Sequence, residues 1–113
     1  MHELSITQSM LEIVLQQAEQ AEAKKVTKIN LVIGEMTGVV SDSVQFYLDI
    51  LTKDTIAEGA QVSFTSIPSQ GKCRSCNQTF TLPELDWTCP HCQGKMIDVI
   101  SGKELLVDSI EVE

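Results

Sequence analysis

Four cysteines stand at positions 73, 76, 89 and 92, written CRSC and CPHC with twelve residues between them. Two residues between partners let a tight turn aim both sulfurs at one point. Two such turns facing one another complete a tetrahedral shell of four thiolates, the arrangement zinc prefers. A single iron ion is the rival occupant, against which the long spacer and the shortage of shielding aromatics argue. Redox-active thiols are the other reading, disfavoured by paired spacing in a reducing compartment. A closed shell of four sulfurs keeps no open coordination position, so its role is structural. The stretch 71–95 is polar, with Pro83, Pro90 and Phe80, Leu82, Leu85 and Trp87 as its sizeable apolar groups. It cannot bury a core of its own; structural zinc, worth about 10 to 16 kcal/mol in peptide systems, stands in for one. His91, between the last two cysteines, is a candidate accessory ligand.

The remaining 88 positions must supply the conventional core, and aliphatics must fill it, because the chain has only three Phe, one Trp and one Tyr. Ser5-Ile6-Thr7-Gln8 has the form of a capping box. Met10, Ile13, Val14, Ala18 and Ala21 then fall on one helical face, predicting an amphipathic helix to about Ala23. Val26–Ile33 is a β-branched run closed by Gly34, hence a strand. After Gly38, Ser41 or Asp42 is placed to cap a second helix carrying Val44, Tyr47, Leu48 and Leu51. The segment 60–67 alternates and stops at Pro68. Past the cysteines, Met96–Ile100 and Glu104–Val112 are extended again and are expected to rejoin the first sheet. The fold class expected is α+β: a small, mainly antiparallel sheet with two helices on one face, plus an inserted four-cysteine module resembling a zinc ribbon. Residues 1–70 and 96–113 would form the α+β domain and 71–95 the zinc module.

The formal net charge is −8, which repels phosphate backbones and makes nucleic acid a poor partner. A nucleic-acid or protein adaptor built on a zinc ribbon remains the alternative, with Lys72, Arg74 and Lys95 as its cations. No window is long and apolar enough to cross a membrane and no signal peptide is visible, which predicts a cytoplasmic protein without membrane insertion. No nucleophile with a base and no phosphate-cradling glycine loop is present, so catalysis is not expected.

The first three residues are Met-His-Glu. A histidine at position 2 lets the Met1 amine, the amide nitrogen between residues 1 and 2 and the His2 imidazole close adjacent chelate rings around one ion. Ni(II) and Cu(II), which favour tetragonal nitrogen and oxygen donors, suit that set better than zinc does. Glu3 can add an oxygen, and the positive end of the following helix favours neutral imidazole at His2. Protons compete for both nitrogens, so occupancy should weaken in mild acid.

Taken together, the terminal MHE, an amphipathic helix, a strand ending in Gly34-Glu35, a second helix, the paired CxxC knuckles and a returning strand resemble the HypA/HybF family of nickel metallochaperones. These serve maturation of nickel-iron hydrogenases. The resemblance spans essentially the whole chain. It implies a non-enzymatic carrier that takes Ni2+ at the Met1 amine and His2, beside Glu3, and keeps structural Zn2+ at Cys73, Cys76, Cys89 and Cys92. It further implies a HypB-type nickel GTPase and the hydrogenase large subunit precursor as partners, and in some organisms urease as a recipient. Asp42 is the nearest match to an acidic residue associated with the family's nickel site. A homodimer, including one made by strand exchange, is compatible with the pattern.

Overall fold

The computed structural model describes residues 3–83 and 86–113. Met1 and His2, and Leu85 of the sequence reading, lie outside these. Helix α1 spans Glu3–Gln20 and strand β1 Val26–Gly34; a single 3-10 turn at Glu35–Thr37 leads to α2, Ser41–Leu51. Five strands follow: β2 Gln61–Ile67, β3 Gln70–Cys73, β4 Thr79–Thr81, β5 Ile97–Ser101 and β6 Leu105–Val112. They form two three-stranded sheets, ordered β2-β1-β6 and β4-β3-β5. β1 pairs with β2 in parallel, which requires a crossover between them, and α2 supplies it. The other pairings are antiparallel. The architecture is therefore the α+β one expected, with both helices on one face of the first sheet.

That face is where alternation puts the aliphatics. Ile29 and Leu31 of β1 meet Met10, Leu11, Val14 and Ala18 of α1 and Val44 and Leu48 of α2. Val62 and Phe64 from β2 and Leu105, Val107 and Ile110 from β6 flank them. The opposite face is solvated, with Asn30 Nδ2 donating to Ser109 Oγ at 2.9 Å.

Three details differ from the sequence reading. α1 begins at Glu3, so Ser5 lies inside the first turn and not at the cap. Thr7 Oγ1 donates to the Glu3 carbonyl at 2.6 Å, and an acidic residue in the first turn suits the helix dipole. Along the helix the buried stripe runs through Thr7 and Leu11, while Ile13 is 46% and Ala21 largely exposed. α1 ends where Ala23 N–H reaches the Ala18 carbonyl and Glu22 N–H the Glu19 carbonyl. Glu22 sits at φ 54°, the left-handed terminator usually given to glycine. For α2, Val40 precedes the helix without a side-chain cap, and Ser41 and Asp42 are its first helical residues.

The third difference is topological. The stretch containing β5, expected to rejoin the first sheet, pairs with β3, Gly71 opposite Val99 and Cys73 opposite Ile97. Gly71 makes room for this: a Cβ there would lie 2.6 Å from Ile97 Cγ2 and 2.7 Å from Leu82 Cδ2. Ile97 and the buried Leu82 thus close over a backbone with no side chain of its own. Alternation marks a segment as a strand but does not say which edge it joins.

Candidate metal centre

Each cysteine pair sits on the same turn. In the first, Asn77 N–H donates to the Cys73 carbonyl at 2.8 Å and Cys73 N–H to the Gln78 carbonyl at 3.0 Å. In the second, Gln93 N–H donates to the Cys89 carbonyl at 2.8 Å and Cys89 N–H to the Gly94 carbonyl at 2.8 Å. The residue after each second cysteine turns left-handed, Asn77 at φ 62° and Gln93 at φ 64°. That reversal leaves successive amides directed at the sulfurs, the His91 N–H standing 3.4 Å from Cys89 Sγ. Asparagine tolerates this conformation, a signal that the sequence reading did not use; the glutamine offers none.

The two knuckles face each other and all four sulfurs lie within 4.8 Å of one another. Cys73 and Cys92 are 3.5 Å apart and Cys76 and Cys89 3.6 Å. These separations are far beyond an S–S bond. They are close to the edge of about 3.8 Å in a tetrahedron with zinc–sulfur bonds of about 2.3 Å. Cys73 and Cys89 are fully buried, Cys76 is half-buried and Cys92 exposed. The donor set and spacing are therefore compatible with a metal such as zinc.

The same amides sort the thiols. The Cys76 amide, then that of Ser75, lowers Cys73 to about 6 against the opposing effect of burial. Burial raises Cys89, but the Cys92 and His91 amides outweigh it and the net shift is downward. At Cys92 the Gly94 amide lowers the value, yet the neighbouring sulfurs of Cys73 and Cys76 and desolvation push it up to about 12. Cys76 is likewise raised: the Gln78 amide opposes, desolvation and the Cys89 sulfur prevail. One sulfur in each knuckle ionises readily and one holds its proton, as expected for four like groups crowded together. A divalent cation would remove that conflict, since thiolates are its ligands.

Beside the first knuckle, Arg74 holds Asp98 of β5 through Nε at 2.9 and 3.0 Å and Nη2 at 2.8 Å. This hydrogen bond, reinforced by charge, keeps the Asp98 carboxyl below the usual range. Arg74 N–H also donates to the Met96 carbonyl at 2.9 Å. The clamp ties β5 to the sulfur cluster; sequence reading had set Arg74 aside as a nucleic-acid cation.

The remaining candidates are scattered by comparison. His91 is exposed on the second knuckle. Glu3 opens α1, half-buried, and Asp42 is exposed in the first turn of α2. Among the described residues neither carboxylate joins a group of three or more ligating side chains. Met1 and His2 lie outside the described residues.

Comparison with known proteins covers the whole chain. A family model described as hydrogenase/urease nickel incorporation, metallochaperone, HypA, matches residues 1–112. A hydrogenase maturation factor HypA of Dehalococcoides mccartyi is 49% identical over 113 residues, covering 100% of this chain and 95% of that protein. One from Caldanaerobacter subterraneus is 48% identical over 115 residues, with 100% of both covered. Among solved structures, the nickel metallochaperone HypA from Helicobacter pylori aligns with TM-score 0.69 at 21% identity over 99% of this chain and 97% of that one. A second HypA solution structure gives 0.75 at 20%, covering 99% and 96%. At those identities the two structures establish shared fold.

Proposed function

The chain belongs to the HypA family of hydrogenase/urease nickel-incorporation metallochaperones, and from that membership we propose that it binds Ni2+ at its N-terminus and delivers it for hydrogenase maturation. The Met1 amine and His2 are the nickel ligands in this reading, with Glu3 beside them and Asp42 as a candidate fourth. Cys73, Cys76, Cys89 and Cys92 hold a structural Zn2+. The observation that carries the reading is the family match over residues 1–112, which takes in MHE and both knuckles together.

A carrier's ligands must be strong enough to load and open enough to be displaced. A ligand set at the end of a chain would meet that demand: incoming ligands from a recipient could attack it stepwise without unfolding anything. The sulfur cluster, with Cys73 and Cys89 fully buried, suits the opposite task of fixing structure. Transfer partners in this proposal are a HypB-type GTPase and the hydrogenase large subunit precursor, with urease maturation as a further role, and nucleotide hydrolysis resides in the partner. The protein is proposed to work in the cytoplasm as a non-enzyme. Among the described residues no helix is long and apolar enough to cross a membrane.

The nucleic-acid alternative loses ground at Arg74, whose guanidinium is already engaged by Asp98. The decisive experiment is nickel titration of the untagged protein, of His2→Ala and of a form extended by one residue ahead of Met1, with zinc assayed in each. Nickel binding is expected to be lost in both altered forms at unchanged zinc content. Undiminished nickel affinity in either sinks the proposal.

A further inference from the structure

We propose that the outer edge of β6, together with the apolar groove between it and α1, docks an extended cationic segment of a partner protein, which adds to the first sheet as a fourth strand. The inference stands on the surface of the described residues and does not depend on which metal the chain carries.

β6 is the terminal strand in the order β2-β1-β6 and has no neighbour on its outer side among the described residues. It is eight residues long, LLVDSIEV. Edges of that length are ordinarily blunted by charged side chains, Pro or bulges; this one has no Lys or Pro, and its charges, Asp108 and Glu111, are acidic. Its pairing with β1 shifts register twice, between Val26 and Lys28 and between Asn30 and Leu31, and runs unbroken from Leu105 to Val107. That run keeps a regular ladder, and its outward amides and carbonyls stay in step for an incoming strand.

Along the same run lies a cavity of about 430 Å³ whose walls include Ile6 and Ile13 of α1 and Leu106 and Val107 of β6. A second of about 240 Å³ shares Ile13 and Val107 and extends the seam to Asp108 and Ile110. Ile13, on the α1 bank, is 46% exposed. Ile13 is the residue that departs from the expected core face of α1, so the apolar stripe of that helix is wider than its own core uses.

Charge selects the occupant. Neither lining contains Lys, Arg or His, and Asp108 is present. Residues 70–101 carry Lys72, Arg74 and Lys95 against Glu84, Asp86 and Asp98 and so balance; the chain's −8 therefore falls on the remainder, which includes this edge. A second copy would bring another acidic edge against it. A strand alternating apolar and basic side chains meets both the groove and the field.

The test uses the zinc-loaded full chain, isotopically labelled, and a blocked nine-residue peptide alternating Val and Lys, with a Val/Glu version as control. The Val/Lys peptide is expected to give saturable amide shifts confined to β6 and the groove side of α1, slowed β6 amide exchange, and weaker binding in salt. Ile13→Lys and Asp108→Lys are each expected to weaken binding tenfold or more. Nickel titration and zinc content on the same samples should be unchanged, so docking and cargo binding are read apart. Absence of saturable binding, equal binding of both peptides, shifts centred on Phe46 and Ile50 of α2, or a dimer of the free protein joined through β6 overturns the proposal.

Discussion

Gly94 reports how tightly the sulfur cluster is closed. A Cβ at that position would stand 3.2 Å from Cys92 Sγ and 3.4 Å from Cys73 Sγ, one from each knuckle. Gly94→Ala therefore forces the Cys92 sulfur to give by a few tenths of an ångström and packs against that of Cys73, without touching the core. Zinc affinity is expected to fall by roughly tenfold, the lower end of what disturbed outer-shell groups cost, with helical circular dichroism unchanged. Competition against a chromophoric chelator measures it, and an unaltered affinity means the sulfurs have slack. Acid acts on the same atoms: Cys92, pushed up to about 12 without metal, must give up its proton on loading, so occupancy falls as pH falls. The cysteines were legible in the sequence because spacing itself encodes their turn. Gly94 was not, since its contacts exist only once the two knuckles meet. Asp42 and Glu3 came from resemblance, and local pattern could place neither relative to a metal.

Elements were legible in proportion to their length. The nine-residue β1 and the helices α1 and α2 announce themselves by period. β3 and β4, four and three residues long, are polar on their surface and hidden in sequence. Even α1 misleads over which apolar side chains face inward, because apolar residues flank its core stripe on both sides: Leu11 and Ile13, about 200° of rotation apart, lie on nearly opposite faces. Leu11 is 7% exposed and packs in the core, against 46% for Ile13. Leu11→Ala is expected to cost about 2 to 5 kcal/mol, whereas Ile13→Ala should cost roughly 1 kcal/mol or less; equilibrium urea unfolding separates them. The short strands depend on something besides period. β3, β4 and β5 enclose little apart from Leu82 and the sulfurs of Cys73 and Cys89. Chelation of the metal is expected to unfold this sheet while α1, α2 and β1 persist. Trp87, the single tryptophan, lies in the connection leading to Cys89, so its emission should shift red on chelation at nearly constant helical ellipticity.

At the scale of the whole molecule the two sheets make an elongated body of 55 × 24 × 17 Å. Its radius of gyration of 17.7 Å compares with about 13 Å for a compact globule of this length. What joins the halves is a crossing of backbones. Gly34 N–H donates to the Glu104 carbonyl at 2.6 Å and Met36 N–H to the Gly102 carbonyl at 2.7 Å. Glu104 Oε1 accepts from Gly102 N–H at 2.7 Å, and Gly102 turns at φ 110°, a region that glycine alone enters freely. A Cβ on Gly34 would run into the Gly102 carbonyl and lie 2.7 Å from the Glu104 amide. These are backbone atoms that cannot swing aside. Gly34→Ala must therefore part the crossing or strain both strands, and the Gly34–Glu104 hydrogen bond is the first contact to go. The expected result is a lower thermal midpoint with metal still bound at the cysteines, since the crossing lies outside the knuckles. The radius of gyration measured by small-angle scattering should rise above that of the unaltered protein. Were the scattering and midpoint both unchanged, the halves would have to be held by other contacts between them, such as the one in which the Ser69 amide donates to Glu35 Oε2 at 3.5 Å.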